Sequence, residues 1–170
     1  MIGKTFGRPR QSLPRSFAAA FAGMCHALVA ERNMKIHYTA ANVVLVWALC
    51  VRPPLAVTTT LVVVSCLVMA AELVNTAVER VVDLASEGKH SAIAKAAKDT
   101  AAGAALMVSA GAIAVGGFAM AETWPWHWRG LSEVHMGSAV LALVGLVMLW
   151  IWGLCVRYWR GCQDGKQEVK

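Results

Sequence analysis

Apolar residues form four long runs along the chain, after an N-terminal segment in which they recur at helical spacing. The first run covers about residues 36–51 and stops at the Arg-Pro-Pro sequence of residues 52–54, because proline ends a helix. The second covers residues 55–83, the third residues 101–121 and the fourth residues 138–159. Runs of this kind predict membrane-spanning helices. The first is short for a span, so we expect it to be tilted or to include flanking residues.

The N-terminal segment has two interpretations. A basic stretch precedes residues 16–30, SFAAAFAGMCHALVA, and together they imitate a signal peptide. Two features argue against cleavage after Ala30: Leu28 stands where a small residue is needed, and His26 interrupts the apolar run. Four apolar residues share one face at helical spacing: Phe17, Phe21, Met24 and Leu28. We therefore expect an amphipathic helix that lies in the membrane interface.

The composition indicates an all-α membrane protein. Of the 170 residues, 58% are hydrophobic and 15% are charged, well below the roughly 25% of charged residues in an ordinary soluble domain. A soluble domain of this size could not bury so much apolar surface in one core. The net charge of +6 could suggest nucleic acid, but in a membrane protein Lys and Arg mark cytoplasmic segments and meet anionic headgroups. We therefore expect the lipid bilayer as a partner, and no nucleic acid.

Positive charge sets the expected orientation. The N-terminal segment through Lys35, residues 80–98 and the C-terminal tail are basic, whereas the two other loops hold only Arg52 and Arg129. The positive-inside rule therefore places both termini and the central loop in the cytoplasm. Residues 123–128, TWPWHW, then lie at the opposite interface as an aromatic anchor, which is a commoner role for such a sequence than an aromatic ligand cage.

Residues 71–83, AELVNTAVERVVD, place carboxylates at the end of an apolar run. On a helix, four polar residues fall within an arc of about 80°: Glu72, Asn75, Glu79 and Asp83. Acidic groups in a membrane helix are costly and indicate function, although pairing with Arg80 or Lys89 would be a structural alternative. The last two acids repel one another unless a cation lies near them. This favours a hard cation such as Mg²⁺, and Glu31 lies on the same expected side of the membrane.

The following segment, residues 86–99, is predicted to be a basic loop. Its candidate ligands are Lys89, His90, Lys95 and Lys98, with Asp99 adjacent. Cationic groups beside a carboxylate and metal site indicate a polyphosphate ligand. No Walker A sequence is present, because neither GKT at residues 3–5 nor GKHS at residues 88–91 has the required upstream glycine. A nucleotide site must therefore be built in another way.

Three stretches resemble the small integral-membrane lipid kinases, the family of prokaryotic diacylglycerol kinase and undecaprenol kinase. They are ERNMKIH at residues 31–37, AELVNTAVERVVDL at residues 71–84 and AKAAKDTAAGAALM at residues 94–107. The resemblance covers roughly residues 16–121. It implies a homotrimer of three-helix subunits in the bacterial inner membrane, each with an N-terminal surface helix, and active sites shared between neighbouring subunits on the cytoplasmic side.

The resemblance also implies roles for individual residues. Glu72 matches the proposed general base at the lipid hydroxyl, and Glu31 and Glu79 match ligands of the metal ions that bridge the phosphates of ATP. Further matches complete the nucleotide site: Asn75, Asp83, Gly88, Lys89, His90, Lys98 and Asp99. Asn75 is expected to contact the lipid as well. The lipid alcohol would thus meet Glu72, and the Mg²⁺-bound phosphates would lie near Glu79.

Two departures from the family pattern concern the nucleotide site. In the family loop a glutamate usually precedes the residue that matches Lys89. Here Gly88 holds that position, and the acid, Glu87, lies one position earlier. One extra residue lies between His90 and Lys98, for which we expect a bulge or a longer loop.

The third departure is a fourth transmembrane helix, residues 138–159, which the core family lacks. We expect it to face lipid around the trimer. The alternative is a gate or recognition element for a long polyprenyl chain. The other segments are a basic N-terminal stretch (1–15), the kinase domain (16–121), a Trp-rich loop (122–137) and a polar cytoplasmic tail (160–170), which we expect to be disordered.

The expected function is ATP- and Mg²⁺-dependent phosphorylation of undecaprenol. Residues 31–37 and the basic stretch favour this branch of the family, and diacylglycerol is the second candidate. A non-enzymatic ion or proton conductor is the alternative class. The polar groups of a conductor would extend through the whole membrane, whereas here they stop near Glu72. The basic segment after residues 71–83 would also have no purpose in a conductor.

Overall fold

The structure is a computed structural model that describes residues 12–89, 91–127 and 136–167. Within these ranges the chain forms five α-helices and no strand. They are α1 Leu13–Ala30, α2 Arg32–Val51, α3 Leu55–Ala85, α4 Ala92–Glu122 and α5 Met136–Gln167. Each contains a segment long and apolar enough to cross a membrane. The predicted all-α membrane fold is therefore confirmed.

α2 begins earlier than its apolar run. It includes four flanking residues from Arg32, which extends it to 20 residues, the usual length of a membrane span. Its end is as predicted: Arg52 caps the helix with a left-handed φ of 53°, donating its backbone N–H to Ala48, and two prolines follow. Proline lacks the N–H that a further helical turn would need.

The connection between α3 and α4 is shorter than expected. Glu87 and Gly88 both have a positive φ, of 51° and 70°, and they turn the chain. The hydroxyl group of Ser91 then accepts a hydrogen bond from the backbone of Ala94 and caps α4. The prediction of a basic loop is therefore wrong from Ala92 onward, where α4 begins and continues without a bulge. The alanines of this segment favour a helix.

The predicted disordered tail also requires correction. α5 continues to Gln167, so residues 160–167 are helical, and residues 168–170 lie outside the described ranges. Two glycines in this part cost about 1 kcal/mol each relative to alanine. Glycine nevertheless keeps the backbone N–H that proline lacks, and no proline interrupts α5.

α1 packs by its second half. Cys25, Ala27 and Leu28 are buried there, whereas Leu13 and Phe17 are exposed near the start. Of the four residues on the predicted apolar face, only Leu28 is thus buried in the protein core. The helix also has the length and hydropathy of a membrane span, so its location in the interface stays a prediction.

α3 lies at the centre of the bundle. It packs along α2, α4 and α5 and touches α1, whereas α4 packs mainly on α3 and is exposed over most of its surface. One buried cluster joins α1, α2, α3 and α5 around Met34, Met69 and Leu149. A second cluster, around Leu61 and Ala119, includes α4.

α5 packs on α2 through stripes whose positions alternate at steps of four and three residues. On α5 these are Ser138, Ala142, Gly145, Leu149, Trp152 and Val156; on α2 they are Met34, Tyr38, Ala41, Leu45 and Ala48. This is the spacing of coiled-coil contact positions. The helices are antiparallel, since Gly145 faces Leu45 and Gly153 faces Tyr38. The predicted lipid-facing helix thus packs on α2 with one face, and its outer face, with Met148, is exposed.

Candidate active site

The polar stripe on α3 passes from the buried interior to the exposed end of the helix. Glu72 and Asn75 are each 7% exposed, Glu79 is half-buried and Asp83 is exposed. Buried ionisable and amide groups in a membrane helix need partners. The stripe thus connects the apolar interior of the bundle to the turn between α3 and α4.

Glu72 is paired with a histidine from another helix. The Nε2 atom of His37, on the second turn of α2, lies 3.2 Å from Oε1 of Glu72. The contact holds a buried carboxylate between α2 and α3. No role was predicted for His37 from the sequence, although a histidine in an apolar helix is itself a sign of a functional site.

Asn75 joins the deep part of the stripe to its shallow part. Its Nδ2 donates a hydrogen bond to Oε1 of Glu79 at 3.0 Å. The Oδ1 atom of Asn75 is buried and has no partner within the described part of the chain. A buried acceptor without a donor is uncommon in proteins, and this one is available to a hydroxyl group or a cation.

Glu31 lies in the break between α1 and α2, where it is the N-cap residue of α2. Its Oε1 accepts a hydrogen bond from Nη2 of Arg80 on α3 at 3.4 Å. Both side chains are partly exposed, so the pair adds little stability. Arg80 was an alternative partner for the acids of α3; in the structure it links the α1–α2 junction to α3 instead.

A basic cleft of about 440 Å³ opens where α3 turns into α4. Nine residues line it: Asp83, Ser86, Gly88, Lys89, Ser91, Ala92, Ala94, Lys95 and Lys98. The Nζ atom of Lys98 lies 2.5 Å from Oδ1 of Asp83, and that of Lys89 lies 2.7 Å from Oε2 of Glu87. Lysines thus surround a space at the exposed end of the stripe.

The cleft brings together part of the predicted nucleotide site. Five of the predicted residues line it: Asp83, Gly88, Lys89, Lys95 and Lys98. Asn75 lies deeper on α3, and Asp99 is exposed on α4 beside Lys98. His90 lies outside the described residues.

The predicted metal ligands do not form a closed site. Within the described part of the chain, no three His, Cys, Asp or Glu side chains converge on a metal position. Mg²⁺ often uses one or two carboxylates together with phosphate oxygens. The carboxylate of Glu79 and Oδ1 of Asn75, which has no partner among the described residues, fit that donor set, because both offer oxygen on the stripe that leads to the cleft.

An apolar groove of about 530 Å³ runs between α2, α3 and α4. His37 lines it, and so do small residues from each helix, among them Ala40, Ser65, Ala112 and Gly116. The groove therefore adjoins the His37–Glu72 pair and continues along the helices away from the cleft. Its shape and lining suit a hydrocarbon chain.

Comparison with known proteins identifies the family. A family model described as prokaryotic diacylglycerol kinase matches residues 18–120. The chain belongs to the prokaryotic diacylglycerol kinase family. Diacylglycerol kinase of Synechocystis sp. is 44% identical over 103 residues, which are 60% of this chain and 58% of that protein. Undecaprenol kinase of Bacillus subtilis is 38% identical over 90 residues, 53% of this chain and 72% of that protein. No solved structure matches the chain.

Membership in the diacylglycerol kinase family confirms the resemblance noted in the sequence. The matched segment contains the whole stripe, His37 and the basic cleft. The chain nevertheless spans only 58% of the length of the Synechocystis protein. The family match ends at residue 120, before α5 begins.

Proposed function

We propose that this chain is an ATP- and Mg²⁺-dependent kinase that phosphorylates the hydroxyl group of a membrane lipid. The observation that carries the proposal is the His37–Glu72 pair, buried between apolar helices at the inner end of the polar stripe. A carboxylate at that depth can meet a lipid alcohol, and the stripe leads from it to a cleft lined by lysines. Membership in a family of lipid kinases supports the same activity.

Glu72 acts as the general base in this proposal. Its Oε1 contacts His37, which leaves Oε2 to accept the proton of the lipid hydroxyl group. The hydroxyl oxygen bonds to the γ-phosphorus of ATP while the bond from that phosphorus to the β–γ bridging oxygen breaks, and ADP leaves. His37 orients the carboxylate, and Oδ1 of Asn75, which accepts no hydrogen bond within the described part of the chain, is available to the hydroxyl group or the metal.

The basic cleft binds the phosphates of ATP. Lys89 and Lys98 supply positive charge, and Asp83 holds Lys98 in place from the opposite side of the cleft. Glu79 and Asn75, with Glu31 as a further ligand, would hold Mg²⁺, which would supply positive charge against the charge that develops on the phosphates. Gly88, His90 and Asp99 complete the proposed nucleotide site.

We propose undecaprenol as the lipid and undecaprenyl phosphate as the product. The groove beside His37 has an apolar lining that can hold a prenyl chain. Similarity to undecaprenol kinase of Bacillus subtilis supports this choice. Diacylglycerol is the second candidate, because the diacylglycerol kinase of Synechocystis sp. shares 44% identity.

The proposal includes a homotrimer in the bacterial inner membrane, with both termini and the active site in the cytoplasm. The basic segments at the cytoplasmic ends of the helices support this orientation. Large apolar residues remain uncovered on α4, among them Met107, Ile113 and Phe118. They leave an extensive surface that neighbouring subunits or lipid can cover.

The first test is phosphate transfer from γ-labelled ATP by the detergent-purified protein. Undecaprenol and diacylglycerol are offered in parallel with Mg²⁺. We expect label in undecaprenyl phosphate, and we expect Glu72→Gln to lower kcat at least about a hundredfold, because glutamine cannot take the proton. ATP binding should be retained in that variant.

Glu122→Gln is the matched control, since Glu122 is exposed at the far end of α4. Faster transfer to diacylglycerol would replace undecaprenol with the second candidate. Absence of transfer to either lipid, with Glu72→Gln indistinguishable from the wild type, would refute the kinase proposal.

A further inference from the structure

α5 packs directly behind the His37–Glu72 pair, although the family match ends before this helix. Leu149 of α5 belongs to the buried cluster that includes Met69 of α3, one helical turn from Glu72. Leu73, the neighbour of Glu72, packs against the same cluster. α5 therefore supports the part of α3 that carries the proposed base.

Tyr38 connects α5 to the other member of the pair, because it is the residue after His37. Its hydroxyl group donates a hydrogen bond to the carbonyl oxygen of Leu149. Its ring packs edge-on against Trp152, with 6.0 Å between the ring centroids. Two contacts with one helix thus fix the side chain of Tyr38, and through it the turn of α2 that carries His37.

Gly153 makes this close approach possible. A Cβ atom at position 153 would lie 2.8 Å from the hydroxyl oxygen of Tyr38, closer than such atoms approach, and 3.8 Å from Cζ. The tyrosine ring is rigid and Trp152 holds it, so a side chain at position 153 displaces α2 along with the ring. The 3.2 Å contact of His37 with Glu72 is at the long end of the hydrogen-bond range, and a small shift weakens it.

We propose that α5 positions the catalytic pair through Tyr38 and Gly153. The proposed kinase activity then depends on a helix that lies outside the family segment. The inference rests on the proposed function, because the pair matters as the base and its orienting partner. Tyr38 and Gly153 are positioning residues, since they act on Glu72 through His37.

The test compares Gly153→Ala, Tyr38→Phe and the double variant in the full-length protein. We expect Gly153→Ala to lower kcat about tenfold with an unchanged KM for ATP, because a displaced base affects the transition state and not nucleotide binding. Tyr38→Phe removes the oxygen that the new methyl group meets and leaves Cζ at 3.8 Å, an ordinary contact. The double variant should therefore recover to the kcat of Tyr38→Phe alone.

Gly145→Ala is the matched control on the same interface. Its Cβ would lie 3.0 Å from Cδ1 of Leu45, whose flexible side chain can move. Leu45 is about 10 Å from Tyr38 along α2. We expect Gly145→Ala to keep kcat within about twofold of the wild type, as for independent sites.

A second measurement does not depend on kinase activity. The imidazole NMR signals of His37 should shift in Gly153→Ala, return in the double variant and stay unchanged in Gly145→Ala. Equal effects of the two glycine substitutions, or no recovery in the double variant, would overturn the positioning proposal. If the wild type transfers no phosphate while the His37 signals behave as expected, the proposed function fails and the positioning contact stands.

Discussion

Glu72 brings a carboxylate into the membrane-spanning part of α3, where an ionised side chain costs about 3 kcal/mol. Its 7% exposure leaves little contact with water. A hydrogen bond to a charged group contributes about 1.5–3 kcal/mol. The single contact with Nε2 of His37 is therefore of the size needed to hold the carboxylate where it lies. One histidine thus stabilises the charge and orients it.

Replacing His37 with alanine should lower kcat by about ten- to a hundredfold, because the buried carboxylate loses its donor and its orientation. His37→Gln keeps a donor and should retain more activity. The measurement is the initial rate of lipid phosphorylation at saturating ATP. His127→Ala, at an exposed position beyond α4, is the control. A wild-type kcat in His37→Ala would show that the histidine has no role in the reaction.

α3 and α4 are each 31 residues long, about 46 Å at 1.5 Å per residue. The hydrocarbon core of a membrane is about 30 Å thick, so both helices extend beyond it. Asp83 near the end of α3 meets Lys98 at the start of α4, and the proposed function places this contact in the headgroup region. The length of the helices would thus let one stripe reach the proposed lipid substrate at one end and the proposed nucleotide at the other.

The metal assignment predicts that Glu79→Gln and Glu31→Gln raise the Mg²⁺ concentration needed for half-maximal activity, by about tenfold or more. Glutamine keeps the size of the side chain and removes the charge that attracts the cation. Glu122→Gln is the control, because Glu122 is exposed at the far end of α4, away from the cleft. Superimposable Mg²⁺ titrations for wild type, Glu79→Gln and Glu31→Gln would disprove the assignment.

The basic cleft predicts that Lys98→Gln raises the KM for ATP about tenfold, the effect of losing one charge-assisted hydrogen bond. Lys98 lines the cleft from the second turn of α4, with Asp83 as its partner. Lys35→Gln, on the exposed start of α2, removes the same charge outside the cleft and should leave KM unchanged. Equal KM values for the two variants would argue against phosphate binding in the cleft.

On the scale of the whole molecule, α1, α2 and α5 pack on one another and on α3, whereas α4 relies mainly on α3. Lipid chains are as apolar as leucine, so burial of apolar surface gives α5 no reason to leave the lipid. Close packing supplies it instead, because Gly145 and Gly153 let Leu45 and Tyr38 approach the backbone. The core family segment is thus enlarged by a specifically packed helix.

Truncation after Glu122 should therefore lower both the thermal unfolding midpoint in detergent and kcat, the latter at least about tenfold. The deletion removes Leu149 and the other α5 members of the core cluster. A full-length variant with Met148→Ala and Trp150→Ala is the control, because both side chains are exposed on the outer face. An unchanged midpoint and kcat after truncation would show that α5 is peripheral.

The sequence by itself determined the features that depend on near neighbours. The apolar runs located the spanning segments, the prolines after Arg52 marked the end of α2, and helical geometry put the carboxylates of α3 on one face. The burial of Glu72 also follows from the sequence, since the stripe begins inside an apolar run. The same local reasoning was wrong at the start of α4 and at the end of α5. There, alanine and glycine permitted helix where charge suggested a loop or a disordered tail.

The tertiary structure decided which residues meet across helices. His37 and Glu72 are 35 positions apart, and Tyr38 and Leu149 are 111 positions apart. The docking of α5 left a sequence signal in its alternating steps of four and three residues, but spacing alone does not say which helix is the partner. That choice depends on the fit of Gly153 against Tyr38, a property of two surfaces that only the packed bundle brings together.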